Sequence, residues 1–320
     1  MSEKTGKLTR KTKFFYGIGD LGNAVVNSAI QFFLMKFYTD GALVPSALAG
    51  NALFVGKIWD AINDPLFGWI TDRTKSRFGK RRVFMLFGAI PLAISIALLW
   101  FVPTQERIWT FVWIALTFIL FDTVWTITNV PYYALTSELT DDYDERSSLT
   151  TTRMAMAVPA YLVGTAVTPA IVGLFALQRS GYAFIGILYG VIAGAALLIS
   201  AAGLRERTGL ALNKPEGSPL KSLGLAFKNK PFVWLCATYF VINLSFAFIK
   251  VLMAYYIEYQ LLMKTGTSLI MGLMLICVTI SLPFWQWLSR KIDKAPAYAL
   301  GMFIGGAAVI MTFFLPHQPT

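Results

Sequence analysis

The chain has 320 residues, of which 56% are hydrophobic and 14% charged, and its mean hydropathy is +0.59. That leaves too little polar surface to coat a water-soluble globule, so the apolar excess must face lipid. The net charge of +11 does not point to nucleic acid. The cations sit in connections between apolar blocks rather than on one face interleaved with aromatics.

The segment from Met1 to Lys13 is polar and basic, and the apolar block after it is too long and too polar for a cleaved signal, so it is expected to stay as the first helix. Apolar blocks of spanning length, roughly 20 residues, predict nine helices near 14–38, 46–70, 83–102, 108–138, 153–176, 182–203, 231–259, 267–288 and 297–315. The blocks are continuous and rich in Leu, Ile, Phe and Ala, which excludes the short alternating strands of a closed barrel. The expected class is an all-α membrane protein.

Helix 1 carries Asp20, Asn23, Asn27 and Gln31, a spacing that keeps all four on one narrow face. Lys36, near the outer end, is expected to snorkel. Helix 2 holds Lys57, Asp60, Asn63 and Asp64, with Pro65 next. An ionised side chain at the bilayer centre costs about 2.5 to 3.5 kcal/mol, so each needs a partner or a wet cavity. Two carboxylates one turn apart repel by several kcal/mol at an effective dielectric near 20, so Lys57, a proton or a bound cation must neutralise them. Oxygens of Asp60, Asp64, Asn63 and Thr126 suit a hard ion such as Na⁺. The plainer reading is a structural ion pair between Lys57 and one aspartate.

Helix 4 repeats the stripe of helix 1 with Asp122, Thr126, Asn129 and Tyr133. Trp125 and Tyr133 beside it could stack on a sugar face, although such rings also serve as packing or interface anchors. The connection from Arg205 to Lys230 contains Pro215, Gly217 and Pro219 and reads as a linker. It divides a six-helix bundle over 1–203 from a cytoplasmic linker over 204–230 and a partial bundle of three helices over 231–320. On helix 7, Lys250 shares a face with Tyr239 and Asn243, and it either lines the interior or snorkels. Cys236 and Cys277 fall inside predicted spans without metal-type spacing.

Lys and Arg crowd the N-terminus, the stretch from Arg73 to Arg82, the linker and Arg290 to Lys294, whereas the other side holds only Arg107, Arg179 and Lys264. The positive-inside rule therefore places the N-terminus and the linker in the cytoplasm. The short charged connection after helix 2 also reads as a latch on the cytoplasmic gate, through Asp72, Arg73, Gly79, Lys80 and Arg81. Asp72 and Gly79 add nothing to a topology signal.

Together these residues resemble the glycoside-pentoside-hexuronide:cation symporters, the melibiose-carrier group of the major facilitator superfamily. The resemblance rests on Tyr16-Gly17-Ile18-Gly19-Asp20, Phe37-Tyr38-Thr39-Asp40, and Lys57-Ile58-Trp59-Asp60-Ala61-Ile62-Asn63-Asp64-Pro65 with Gly68. It continues through Asp72-Arg73-Thr74, Arg77-Phe78-Gly79-Lys80-Arg81-Arg82 and Asn129-Val130-Pro131-Tyr132-Tyr133. From residue 231 onward only the general pattern matches.

The resemblance implies a twelve-helix fold with nine of the helices present, alternating access, and uptake of a sugar with Na⁺, Li⁺ or H⁺ across a bacterial inner membrane. It implies cation-binding roles for Asp60 and Asp64, with Asn63 and Thr126 beside them. Arg153, placed at the inner end of helix 5, matches a family arginine near the substrate. Ala24 and Asn129 stand where melibiose-type carriers have aspartates, which points to a different sugar. The solute site is expected from Asp20, Asn23, Asn27, Asp122, Trp125, Asn129, Tyr133, Arg153 and Lys250. No cofactor is expected besides the coupling ion, and the chain is expected to act as a monomer on a small solute within membrane lipid.

Three rival readings are weighed against this one. Gly17-Ile18-Gly19-Asp20 matches the short motif of intramembrane aspartyl proteases, yet the Tyr-Asp they need earlier in the chain occurs only downstream, at Tyr143-Asp144. An animal branch of the same family moves lysophospholipids, so an amphipathic lipid is the alternative cargo. A truncated, inactive carrier is the third.

Overall fold

The computed structural model describes residues 7–74, 76–104, 106–140, 142–204, 206, 227–262 and 266–313. Among them are nine helices and no strand: α1 (Arg10–Lys36), α2 (Ser46–Arg73), α3 (Arg82–Leu99), α4 (Arg107–Leu139), α5 (Tyr143–Val172), α6 (Gln178–Gly203), α7 (Lys230–Tyr255), α8 (Thr267–Ile292) and α9 (Lys294–Phe313). The helices over 82–99, 107–139, 144–172, 178–203 and 230–260 are long and apolar enough to cross a membrane. The polar stripes lower the hydropathy of α1 and α2.

Most boundaries lie within a few residues of the sequence expectation. The exception is α5, which begins ten residues before the predicted 153. Asp142 caps it by accepting the Glu145 N–H at 2.9 Å, and Asp144 and Glu145 sit in its first turn, where carboxylates favour the helix dipole. Hydropathy measures the apolar stretch, and this polar first portion extends beyond it. Arg153 is therefore well inside α5 rather than at its end.

In the first six helices α1 packs on α5 and α6, α3 on α4 and α6, and α2 on α4. Small residues permit the close approaches. A Cβ on Gly164 would lie 2.5 Å from the Val25 carbonyl of α1, and one on Gly190 equally close to the Ala93 carbonyl of α3. Larger side chains there would force those helices apart. Of the last three helices, α7 leans on α1 and α8 on α5 and α9. The expected linker over 204–230 lies mostly outside the described residues, as does His317.

Two helices end alike. After α1 comes a π-helical turn at Phe37–Gly41, and after α7 another at Tyr256–Gln260. Each is followed two residues on by a leucine in the left-handed region, Leu43 at φ 56° and Leu262 at φ 54°. π turns are rare and concentrate at functional sites. The first is anchored by buried aromatics: Phe37 lies 5.6 Å from Trp100 and 5.5 Å from Tyr182 between ring centroids, and Tyr38 donates to the Leu99 carbonyl at 3.1 Å.

Candidate functional site: two polar clusters in the helix bundle

The first cluster lies between α2 and α4. Asp60 pairs with Lys57 at 3.1 Å, three residues earlier on the same helix. Asp64 accepts from the Thr126 hydroxyl at 2.8 Å. Asn63, fully buried, donates its amide to both the backbone carbonyl and the Oδ2 of Asp122 at 3.2 Å. The Asp60 carboxylate lies close enough to Asp122 for the two to repel each other. Asp122, grouped by its spacing with the solute stripe, thus joins the helix 2 set instead. A helix stripe spans enough arc for its two ends to face different neighbours.

Three carboxylates here stand against one ammonium. Among the described residues no three His, Cys, Asp or Glu side chains converge to hold a metal ion, so any cation would depend on amide and hydroxyl oxygens as well. One such oxygen, Asn63 Oδ1, is buried and has no hydrogen-bond partner among the described residues. Its orientation is fixed, because turning the amide over would put an acceptor against the two Asp122 oxygens. A buried acceptor left unpartnered costs about 1 to 3 kcal/mol.

The second cluster joins α1, α4 and α5. Asn23 donates to Asn129 through a short hydrogen bond, and both are buried. Asp20 accepts from the Tyr133 hydroxyl at 3.3 Å and lies 3.4 Å from Arg153 Nε. The Arg153 guanidinium sits over the Tyr133 ring, 5.1 Å from its centroid. That ion pair is not a formed hydrogen bond, since Arg153 Nε is buried and has no hydrogen-bond partner among the described residues. Charge balances here, one carboxylate against one guanidinium, and the remaining groups are amides and phenols. Asn27 extends the line by accepting from Gln31, whose carbonyl oxygen accepts from Tyr161 on α5 at 3.1 Å.

Besides Asp122, two further expected solute residues stand apart from this set. The Trp125 ring packs on Phe121 of its own helix, 5.4 Å between centroids. Lys250 is half-buried on α7 and takes part in none of the bonds just described. The Gly17 and Gly19 positions are explained by packing: a Cβ on Gly19 would lie 2.6 Å from the Tyr132 ring, and one on Gly17 2.8 Å from Met156 Sδ. Asp20 is partnered by Arg153 rather than by a second aspartate.

At the end of the bundle where α1 begins, the charged connection closes on itself. Arg81 bonds Glu138 of α4 and lies 3.2 Å from Asp72, with Lys80 3.7 Å from Asp72. Arg73 is outside this network, its guanidinium 4.0 Å above the Trp69 ring. Sequence reasoning missed Glu206, just beyond α6. Its carboxylate accepts the backbone N–H groups of Lys80, Arg81 and Arg82 at 2.6, 2.8 and 2.6 Å. These donors lie at and just before the start of α3, whose N-cap is Arg81, where the helix dipole favours negative charge. Gly79, at φ 106°, gives Glu206 room, since a Cβ there would sit 2.7 Å from its oxygen.

The family described as MFS/sugar transport protein matches residues 15–320. The chain belongs to that family. It is a multi-pass membrane protein, and the resemblance to the melibiose-carrier group holds. Within the MFS/sugar transport family it is 38% identical over 208 residues to an uncharacterized symporter of Synechocystis sp., covering 63% of this chain and 38% of that one. It is 28% identical over 297 residues to an isoprimeverose transporter of Lactiplantibacillus pentosus, covering 91% and 62%. It is 29% identical over 338 residues to a sodium-dependent lysophosphatidylcholine symporter of Danio rerio, covering 94% and 63%. The chain therefore spans less than two thirds of the length of these relatives. They are transporters, and the protease reading is set aside.

Proposed function

We propose that the chain carries the cation site and part of the solute site of a symporter that moves a sugar or glycoside by alternating access. The cation sits between α2 and α4, held by Asp60, Asp122 and Asn63 Oδ1, with Asp64 and Thr126 alongside. The solute binds at Asp20, Asn23, Asn129, Tyr133 and Arg153. The observation that carries this reading is the unpartnered Asn63 Oδ1 among three carboxylates and one lysine. A buried acceptor in an electronegative setting has an energetic need for a cation.

The neutral second cluster, with two amides, phenol hydroxyls and a ring face, supports a hydroxylated, uncharged solute over an amphipathic lipid. Because coupling is reciprocal, a cation that raises solute affinity is itself bound more tightly when solute is present. The test uses the full-length protein in proteoliposomes, with uptake measured with and without Na⁺ or pH gradients. Asp64→Asn is expected to abolish cation stimulation, and an unaltered Na⁺ or H⁺ dependence would sink the assignment. A thermal-stabilisation panel of glycosides and lysophosphatidylcholine, each with and without Na⁺, identifies the cargo. Stabilisation by the lipid alone would replace the sugar reading.

A further inference from the structure

Lys36 is not snorkelling into solvent, as its position near a helix end suggests; it is 4% exposed. Its ammonium lies 2.7 Å from Asp40 and 2.5 Å from Glu258, and sits 5.3 and 5.2 Å from the centroids of Tyr255 and Tyr259. Around it, Thr39 and Tyr255 share a hydroxyl bond at 2.7 Å and Tyr259 donates to Asp40 at 3.0 Å. Two carboxylates and two ring faces thus surround one cation, an arrangement strong for its size when water is excluded.

The two π turns supply these groups, and they are related. Phe37–Gly41 and Tyr256–Gln260 stand 219 positions apart, the same separation as Leu43 and Leu262. The separation is also that of Asp40 and Tyr259, which bond to each other, and of Lys36 and Tyr255, which touch as cation and ring. Residues in equivalent positions of two related elements can meet only on the twofold axis between them, as in any isologous contact. The cluster therefore lies on the pseudo-twofold axis relating α1 to α7. In carriers built from two parallel repeats, the halves rock about a site on that axis.

The other contacts agree. The bonds named here between α1 and α7 all fall at the Lys36 end, and the approach of Gly272 on α8 to Ala166 on α5 falls toward the same end. The asymmetry of the parts suits repeated opening. Lys36, the last residue of α1, and Asp40, in the π turn that continues it, are four residues apart, so they remain paired when α7 moves away. Only Glu258 and the two tyrosines change partner, and both tyrosine hydroxyls and the glutamate can take up water.

We infer that Lys36, Asp40, Glu258, Tyr255 and Tyr259 form the gate that closes the end of the transport path opposite the Asp72–Arg81 network. It rests on the symporter reading only for what passes through it.

The test measures opening without solute or cation, so that it succeeds or fails independently of the coupling assignment. In the full-length protein with Cys236 and Cys277 replaced by Ser, Asn27→Cys reports access to the interior face of α1. A membrane-impermeant thiol reagent is applied from the Lys36 side. Glu258→Gln and Tyr259→Phe are each expected to raise the labelling rate, roughly tenfold for Glu258→Gln and less for Tyr259→Phe, by shifting a two-state equilibrium toward the open form. Tyr259 is largely exposed, so its loss of one hydroxyl leaves folding intact even if the glutamate variant misfolds. Unchanged labelling in Tyr259→Phe, or in a folded Glu258→Gln, would overturn the gate. Faster labelling together with an unaltered cation response in Asp64→Asn would keep the gate and remove the coupling site.

Discussion

The two clusters differ in what they lack. Between α2 and α4 the unsatisfied group is an acceptor, Asn63 Oδ1, whereas among α1, α4 and α5 it is a donor, Arg153 Nε. The surroundings follow suit: three carboxylates against one lysine in the first, one carboxylate against one arginine in the second. An acceptor in a negative pocket calls for a cation, and a donor in a neutral one calls for a hydroxyl or ether oxygen. An unpartnered acceptor and an unpartnered donor on neighbouring faces of α4 are what the proposed coupled carrier would use.

The comparison breaks first at Arg153. Replacing it with Met leaves Asp20 buried and unpaired and removes the unsatisfied donor, so solute affinity should fall by about a hundredfold or more. Cation affinity measured without solute should move by less than about threefold, since the two sites meet only through coupling. Arg153→Lys should recover part of the loss, as it restores charge without the planar fork. Equal loss at both sites in ligand titrations would show that the clusters are one.

Asp122→Asn is the converse, and its effect should be about tenfold to thirtyfold on cation affinity. The amide removes one negative charge and supplies an N–H to Asp60, which then competes with the ion for the same oxygen. Solute affinity without cation should stay within about threefold. Isothermal titration with each ligand alone separates the outcomes.

These two residues also show where the sequence was readable. The stripes on α1 and α4 were legible because the helical period alone places Asp20, Asn23 and Asn27, or Thr126, Asn129 and Tyr133, on one face. The periodicity could not assign Asp122 to its neighbour, because that depends on the rotation of α4 against α2. The nine helices followed from hydropathy, yet Arg153 was displaced along α5 by a polar first portion that hydropathy ignores. Glu206 and Glu258 looked like ordinary residues at helix ends. Their partners lie more than a hundred positions away, a distance over which local spacing carries no signal.

Asn63→Leu is the finer probe of the first cluster. It preserves approximate volume while removing the unpartnered oxygen together with the donor that holds Asp122. Cation affinity should fall about fivefold to tenfold, the equivalent of about 1 kcal/mol for one neutral ligand. Protein stability without cation should fall by no more than about 1 to 3 kcal/mol, because removing the unpartnered oxygen offsets part of the loss of the amide donor to Asp122. A large drop in the thermal midpoint without ligand, with cation binding intact, would recast Asn63 as a packing residue.

The smallest expected effect lies outside both clusters and serves as their control. Glu206→Gln keeps an acceptor oxygen near the start of α3 but removes the charge that the helix dipole favours, worth about 0.3 to 1 kcal/mol. The three short bonds to Lys80, Arg81 and Arg82 make a value toward the upper end reasonable, so the thermal midpoint should fall by a few degrees at most, roughly 2 to 4 °C. Affinities for cation and solute, each measured alone, should stay within about twofold. If Glu206→Gln instead changes how strongly one ligand raises affinity for the other, the connection it caps takes part in coupling. The two clusters would then communicate through the α3 end of the bundle as well as through α4.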